Sequence, residues 1–244
     1  MATHTTVTEI AADTYRISTF HSEYGIQFNQ FLVVDEHPFL MHTGFRKMFT
    51  QTLDGVRQVM DPARLRWIGF SHFEPDECGA LNEWLAVAPD AQSVTGLVGD
   101  MVMMNDFADR PGRALADNEI LLLGRHSLRF LATPHLPHGW DAGLFFDESE
   151  KTLFASDLFF QPGNPAPLVE SSLVDIAANT MRESMKGPLA HDLPYTPQTG
   201  RLMARLASLE PQTLATMHGS SFRGDGKQAL LDLSAELRDI LETK

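Results

Sequence analysis

The chain has 244 residues, of which 43% are hydrophobic and 21% are charged, a composition typical of a globular protein with a substantial core. Its formal net charge of −13 argues against binding to nucleic acid or to an anionic membrane surface. The single cysteine excludes an internal disulfide, no apolar run approaches the ~20 residues of a membrane span, and residues 1–15 lack a signal-peptide pattern. We therefore expect a cytoplasmic protein.

The first half of the chain predicts short strands that alternate with helices. Apolar and β-branched runs between polar turns predict strands, and apolar residues at helical spacing predict helices. In chain order, the predicted elements are two strands over 26–44 with a turn at 35–37, a helix over 47–60, a strand over 66–70, a helix over 79–88, a strand over 91–97 and a helix over 97–108.

The second half predicts two hairpins, a loop, and three helices around one more strand. The hairpins cover 118–134 and 142–157, and the second turns at the acidic sequence DESE. Three prolines within 161–170 argue against regular structure there and predict a loop that covers a site. The remaining elements are helices over 172–187 and 198–210, a strand over 213–218 and a helix over 227–242. This order predicts an α/β protein with two mixed sheets between helices, in a single domain over residues 1–244.

Histidine and acidic residues stand directly after several predicted strands. The candidates are His72, Glu74 and Asp76 after the strand over 66–70, His138 after the first hairpin, Asp157 after the second hairpin and His218 after the last strand. Each residue alone has an ordinary explanation as a cap, a turn or a loop residue. Together they are expected to converge from distant strand ends. In two-metal sites, histidines and carboxylates placed in this way bind two cations about 3.5–4 Å apart. Their shared placement favours a metal site.

The motifs around these residues resemble the metallo-β-lactamase superfamily over nearly the whole chain. FLVVDEHPFLMHTG is similar to the opening strands of that superfamily, and SHFEPDECG stands at the place of its HxHxDH motif. TPHLPHGWDAG, LFASDLFF and MHGSSFRG stand at its next histidine, its bridging aspartate and its last histidine. The resemblance implies the metallo-β-lactamase fold, a four-layer αββα sandwich.

The flavodiiron branch of this superfamily is more similar still, because it has H-x-E-x-D where other members have H-x-H-x-D. HFEPD gives the same pattern here, and HGWD matches the H-x-x-D of the branch with His138 and Asp141. The resemblance implies two iron ions that share one aspartate. The implied ligands are His72, Glu74, His138 and Asp157 on the first iron, and Asp76, Asp157 and His218 on the second.

Three positions depart from the flavodiiron pattern. Glu77 replaces the histidine that follows the motif's aspartate, so Glu77 either ligates the second metal or stands near it. One extra residue in TPHLPHGWD makes His135 a competitor of His138, which is favoured because Asp141 keeps the H-x-x-D spacing. His42 stands where the superfamily has an aspartate, and is either a group behind the ligands or an ordinary loop histidine.

Tyr24, Trp140 and His42 are further candidates to line a pocket or to donate a proton. Tyr24 lies in SEYGIQFN, which resembles a GxxYN region that flavodiiron proteins carry near this site. An aromatic residue within a strand explains Tyr24 equally well.

The glutamate in place of a histidine favours iron and redox chemistry over hydrolysis, because anionic oxygen ligands weaken a metal ion as an acid. The resemblance implies that dioxygen or nitric oxide binds between two irons and is reduced there. The alternative is a dinuclear zinc hydrolase of the thioesterase, phosphodiesterase or lactonase type, and zinc or manganese are the alternative metals.

No segment with a flavin-binding pattern is recognised, so we expect no flavin on this chain. The expected protein is then either a reductase fed by a separate redox partner or an oxygen sensor with a signalling partner. The resemblance also implies a homodimer.

Overall fold

A computed structural model of the protein describes residues 5–242. Residues 1–4 and 243–244 lie outside the described residues. The first four belong to the stretch predicted to lack a signal-peptide pattern, and the last two belong to the predicted domain. Two mixed seven-stranded sheets face each other, and helices cover the outer face of each sheet. This is the four-layer αββα sandwich that the sequence predicts.

The first sheet is antiparallel in one part and parallel in the other. In spatial order its strands are β1 (Thr5–Ala11), β2 (Thr14–His21), β3 (Ile26–Val33), β4 (Phe39–Met41), β5 (Trp67–Gly69), β6 (Gln92–Gly96) and β7 (Arg113–Leu115). β1 to β4 form an antiparallel meander. β4 to β7 pair in parallel, so their carboxyl ends lie at one edge of the sheet.

The second sheet is built from the rest of the chain. In spatial order its strands are β12 (Leu168–Val169), β14 (Ser221–Arg223), β13 (Thr213–Thr216), β11 (Thr152–Ser156), β10 (Gly143–Asp147), β9 (Ser127–Ala132) and β8 (Ile120–Leu122). β8 to β11 form an antiparallel meander. β13 pairs in parallel with β11, β14 pairs antiparallel with β13, and β12 pairs in parallel with β14.

The helices are short except for the last one. They are α1 (Phe49–Arg57), α2 (Pro75–Cys78), α3 (Leu81–Val87), α4 (Leu97–Gly99), α5 (Asn105–Phe107), α6 (Val174–Ser184), α7 (Thr199–Ala207) and α8 (Gly226–Leu241), with 3₁₀ turns at Arg46–Met48 and Pro62–Arg64. A π-helical turn, Asp100–Met104, joins α4 and α5. The side chain of Asp225 caps α8 by accepting a hydrogen bond from Gln228 N at 2.9 Å. Within residues 5–242 no helix has both the length and the apolar character to cross a bilayer.

Side-chain alternation along the strands builds three apolar layers. Phe31 and Val33 of β3 enter the core between the sheets, whereas Leu32 enters the core beneath α1 and α3. In β10, Phe145 faces the first sheet and Phe146 faces the helices of the second sheet. Successive strand residues point to opposite faces. Because both faces are buried, these strands appear in the sequence as continuous apolar runs.

Each predicted strand and helix has a counterpart in the structure, although several strands were not predicted. The strands that the sequence analysis missed are β1, β2, β7, β12 and β14. The prediction that residues 161–170 have no regular structure is wrong for Leu168 and Val169. These two residues follow the last proline of the loop and pair in parallel with β14 at the sheet edge, where only one side of a strand needs a partner.

Candidate metal centre

Five strands end at one edge of the sandwich and deliver side chains there. β9 and β11 both pair antiparallel with β10, and β13 pairs in parallel with β11, so these three strands run in the same direction. A hydrogen bond of 2.8 Å from Gly143 N to Ser71 O joins the two sheets at this edge. The side chains that follow the strands are His42 after β4, His72 after β5, His138 after β9, Asp157 after β11 and His218 after β13.

A local irregularity in β11 directs Asp157 into the space between the sheets. The register between β11 and β13 shifts between Phe154 and Ser156, and Ser156 has a left-handed φ of 50°. A bulge of this kind re-aims the side chain that follows it. A left-handed residue other than glycine is held by its surroundings. Strand geometry rather than a flexible loop therefore positions Asp157.

The side chains at this edge form one cluster with two halves. Four of them surround the half that we call the first half-site: His72, Glu74, His138 and Asp157. Nε2 of His72 lies 3.6 Å from Oε2 of Glu74 and 3.6 Å from Oδ2 of Asp157. Nε2 of His138 lies 3.5 Å from Oε1 of Glu74 and 3.6 Å from the same oxygen of Asp157. One donor atom from each of His72, His138 and Asp157 lies within 4.8 Å of the others.

The second half-site lies on the other side of Asp157. Nε2 of His218 is 3.1 Å from Oδ1 of Asp157 and 3.5 Å from Oδ2 of Asp76. Asp157 thus presents one carboxylate oxygen to each half-site. This is the arrangement of a carboxylate that bridges two metal ions.

The donor atoms of the first half-site are spaced for metal coordination. Separations of 3.5–3.6 Å between nitrogen and oxygen exceed an ordinary hydrogen bond. Two ligands at about 2.1 Å from one metal ion lie about 3.4 Å apart in a tetrahedral arrangement. Among the described residues, Nε2 of His72 and both ring nitrogens of His138 are buried without a hydrogen-bond partner, although buried polar groups are normally paired. The residues present therefore fit a pair of metal ions.

Hydrogen bonds behind His218 fix which ring nitrogen faces the cluster. Nδ1 of His218 lies 2.9 Å from the backbone oxygen of Gln27. A carbonyl oxygen only accepts, so Nδ1 carries the proton and Nε2 keeps its lone pair for a metal. The next carbonyl, that of Gly219, accepts hydrogen bonds from Arg16 at 2.8 Å and Asn29 at 2.9 Å. The loop that carries His218 is thus held from behind.

The other two histidines have polar neighbours at Nδ1. Nδ1 of His72 lies 3.0 Å from Oγ of Ser71 and 3.3 Å from Oε2 of Glu77. Nδ1 of His138 lies 3.5 Å from Oδ1 of Asp192, farther than an ordinary hydrogen bond. The neighbours of His72 leave its Nε2 facing the first half-site.

Opposite charges offset the cost of burying these groups. Burial lowers the pKa of His72, but three nearby carboxylates outweigh burial and raise the pKa to about 10. Burial also opposes the charge on His218, whose pKa Asp157 and Asp76 raise to about 10. Burial alone would raise the pKa of Asp157, but the cluster histidines hold it below its ordinary value. Two of those histidines lower the pKa of Glu74 to about 2. In the metal-free protein, protons therefore occupy the places that metal ions would take.

The structure brings His138 into the cluster and leaves His135 at the surface. His135 has a left-handed φ of 64°, and its backbone N donates to the oxygen of Gly139 at 2.7 Å. Asp141 does not join the half-sites. It is buried, and its Oδ2 accepts a hydrogen bond of 2.9 Å from the backbone N of Phe73. Asp141 thereby fixes the backbone between two of the ligands.

Glu74 lines two cavities. The first, of about 240 Å³, is also lined by residues of both half-sites: Asp76, His138, Asp157 and His218. Its apolar wall consists of Phe160, Met181, Met185, Leu189, Leu193 and Leu241. The second, of about 480 Å³, has aromatic and cationic walls: His21, Tyr24, Phe45, Arg46, Lys47, Phe73 and Phe107.

Tyr24 and Trp140, the candidate pocket residues, lie at the periphery. Tyr24 is 60% exposed and stacks on His21 at 4.4 Å between ring centroids, within the second cavity. Trp140 is 54% exposed. His42, in contrast, is buried beneath the cluster, and burial lowers its pKa to about 3, so its ring is neutral.

The sequence analysis missed the residues that hold the ligands from behind. Ser71 and Ser156 each directly precede a ligand, and that repeated Ser-ligand order was the available signal. Gln27 acts on His218 through its backbone oxygen, which a sequence motif does not reveal. Asp192 lies in the segment between α6 and α7, far from the motifs in sequence.

Two mixed sheets with flanking helices, with candidate metal ligands at the strand ends, define a protein of the metallo-β-lactamase fold. Residues 26–219 match the family model described as ODP family beta lactamase, and the chain belongs to this family. The resemblance found in the sequence, to the metallo-β-lactamase superfamily and to its flavodiiron branch, is thereby confirmed.

Relatives and solved structures agree with this assignment. The chain is 28% identical over 208 residues to a rubredoxin-oxygen oxidoreductase of Megalodesulfovibrio gigas, and this match covers 83% of this chain and 51% of the relative. It is 25% identical over 229 residues to a flavo-diiron protein of Clostridium acetobutylicum, and this match covers 89% of this chain and 56% of the relative. The chain therefore spans about half the length of these relatives.

Two solved structures show the same fold. The rubredoxin oxygen:oxidoreductase of Desulfovibrio gigas superposes with a TM-score of 0.81 at 24% identity, over 94% of this chain and 61% of that one. The flavodiiron protein of Giardia intestinalis superposes with a TM-score of 0.79 at 17% identity, over 98% of this chain and 60% of that one. At these identities the likeness concerns the fold alone.

The metal-free protein should lose stability as the pH rises from about 6.5 to about 10. The pKa of His72 and of His218 is about 10 in the folded protein against an ordinary 6.5. Their contribution to folding is therefore complete below pH 6.5 and is lost as the pH rises through 10. The contribution of Glu74, with a pKa of about 2 against 4.5, is lost only as the pH falls through 2. Melting temperatures with a chelator present check this.

The His218→Asn variant is the control for this pH series. It removes one of the two histidines whose pKa is raised to about 10, so its melting temperature should depend less on pH across the same window. A metal-free parent protein that gains stability above pH 6.5 would contradict the charge pairing described here.

Replacing His138 should release metal, whereas the same replacement at His135 should not. His138→Asn removes an imidazole from the first half-site, so bound metal should fall from about two ions toward about one per chain. His135→Asn is a matched control in the same loop, because asparagine tolerates the left-handed φ of 64° there. Elemental analysis after dialysis measures both. The reverse pattern would assign the ligand to His135.

Proposed function

We propose that the chain is a non-haem di-iron protein that binds dioxygen or nitric oxide and reduces the bound molecule when a separate donor supplies electrons. The position of Asp157 carries this proposal, because its two oxygens face two half-sites that each contain an imidazole. The names of the relatives, a rubredoxin-oxygen oxidoreductase and a flavo-diiron protein, support the same chemistry.

The set of donor atoms favours iron over zinc. The two half-sites together offer three imidazoles and three carboxylates: His72, His138, His218, Glu74, Asp76 and Asp157. Mixed histidine and carboxylate sites with open positions are those that non-haem iron uses with dioxygen. Two iron ions would supply the open coordination positions and the electrons. Neither relative named above is a hydrolase by name, so the zinc hydrolase alternative gains no support.

The walls of the first cavity suit a small apolar molecule. Phe160, Met181 and Leu193 present carbon and sulfur atoms that exclude water from the cluster floor. Asp192 is the acidic group at the rim, with a side chain 42% exposed and Oδ1 3.5 Å from Nδ1 of His138. In this proposal Asp192 exchanges protons between solvent and that ring nitrogen.

The second cavity suits the approach of an electron donor. Glu74 forms part of both cavities, so a donor seated in the second one lies one side chain from the first half-site. Arg46 and Lys47 give that cavity positive charge, in contrast to the net charge of −13 of the whole chain. A donor with a negatively charged redox group is therefore favoured there.

We further propose that the chain acts as a single di-iron domain, in a homodimer, in the cytoplasm.

Anaerobic purification with iron supplied tests the proposal. We expect about two iron ions per chain, and a new near-ultraviolet and visible absorption band when dioxygen is admitted. The band should persist if the protein is a sensor, and it should disappear and return with each addition of donor and dioxygen if the protein is a reductase. Asp157→Asn should lose both the second iron and the band, whereas Asp54→Asn, with a side chain 60% exposed on α1, should retain both.

Two outcomes would overturn the proposal. One is a protein that takes up two zinc ions from iron-rich anaerobic medium, shows no oxygen-dependent spectrum and hydrolyses esters, thioesters or phosphodiesters. The other is an Asp157→Asn variant that keeps two irons and the oxygen-dependent band.

A further inference from the structure

Glu77 is fully buried immediately behind the first half-site. Its Oε1 accepts a hydrogen bond of 2.9 Å from Oγ of Ser156. Its Oε2 accepts hydrogen bonds from Oγ of Ser71 and from the backbone N of His72, the latter at 3.2 Å. Both carboxylate oxygens are therefore already engaged by donors on the side away from the cavity.

The two serines connect Glu77 to both sheets. Ser71 directly precedes His72 after β5 of the first sheet, and Ser156 directly precedes Asp157 at the end of β11 in the second sheet. Their hydroxyl oxygens lie 2.7 Å apart. The carboxylate of Glu77 thus joins the two strand ends that carry a ligand of the first half-site and the bridging carboxylate.

Two imidazoles face the same carboxylate. Nδ1 of His72 lies 3.3 Å from Oε2 of Glu77, while Nε2 of His72 faces Glu74 and Asp157 on the opposite edge of the ring. Nε2 of His42 lies 3.5 Å from the same oxygen of Glu77. His42 is 1% exposed, and within the described residues neither of its ring nitrogens has a hydrogen-bond partner, so Glu77 is its polar neighbour at 3.5 Å.

We propose that Glu77, paired with His42, is a positioning residue that holds His72 from behind and ligates neither metal. To reach a metal, Glu77 would have to abandon the hydroxyls of Ser71 and Ser156 and leave them buried without this acceptor, which is costly. In its observed place its Oε2 lies 3.3 Å from Nδ1 of His72 and accepts a hydrogen bond from Ser71, whose Oγ lies 3.0 Å from the same Nδ1, so Nε2 is left for the metal. The second half-site then has Asp76, Asp157 and His218 as its protein ligands. This inference rests on the metal-binding part of the proposed function.

Cobalt titration of each half-site separately tests the role of Glu77. His218→Asn disables the second half-site and His138→Asn disables the first, so each background reports one site through the visible absorption of bound Co²⁺. In the His218→Asn background, adding Glu77→Gln should weaken Co²⁺ binding about 10–100-fold, the usual effect of losing an orienting partner. In the His138→Asn background the loss should be at least about tenfold smaller. Glu210→Gln, with a side chain 68% exposed, should change neither affinity.

The outcomes of this titration are distinct. A loss confined to the His138→Asn background would make Glu77 a ligand of the second metal and overturn the inference. Equal affinities with and without Glu77→Gln in both backgrounds would make Glu77 a filler of space, which also overturns it. A parent protein that binds no Co²⁺ at all would instead refute the metal-binding part of the proposed function, and the pair would then be judged by the next experiment alone.

Exchange of the two partners tests the pair without any metal. His42→Asp alone places a second carboxylate beside Glu77, and Glu77→His alone leaves two imidazoles without an acid. The double variant restores one of each, and aspartate tolerates the left-handed φ of 65° at position 42. Each single variant should lower the melting temperature of the metal-free protein by about 5 °C or more, and the double variant should recover at least half of the summed loss. Additive losses, or a double variant that fails to fold, would overturn the pairing.

Discussion

The burial of charge at the seam between the two sheets is the constraint on which this structure depends. Isolated charges in such a place are very unfavourable, and they persist only when opposite charges or metal ions lie beside them. Here Asp157 lies between His72 and His138 on one side and His218 on the other, and each of these groups is buried or nearly so. The pKa values of the histidines rise and that of Asp157 falls for this one reason.

The topology supplies that arrangement because it brings strand ends together that are far apart in sequence. Parallel pairing of β11 with β13 places Asp157 next to the loop of His218, and the bulge at Ser156 turns the aspartate into the seam. The hydrogen bonds behind His72 and His218 then leave Nε2 of each ring facing the half-sites. The apolar layers on either side of the seam hold these strand ends rigid.

The sequence predicted what is local, and it missed what depends on distant partners. The ligand motifs could be read because each follows an apolar strand, and the αββα layers followed from the order of the elements. β1 contains three threonines and a glutamate, and Ile10 is the one fully buried residue of its seven, so β1 lacks the apolar signal of the buried strands. The role of Glu77 could not be read, because its partner Ser156 belongs to the other sheet, 79 residues away. Gln27 contributes a backbone oxygen, which every residue has.

Charge balance explains why a fourth carboxylate lies behind the ligands. Two divalent ions would carry four positive charges, of which Glu74, Asp76 and Asp157 would offset three if the imidazoles are neutral. An ionised Glu77 would offset the fourth across the ring of His72. A buried site that is neutral with two divalent ions has the least desolvation cost in that state. The first cavity is the route by which a small molecule would reach these residues, and its walls include α6, the segment that follows it and the end of α8.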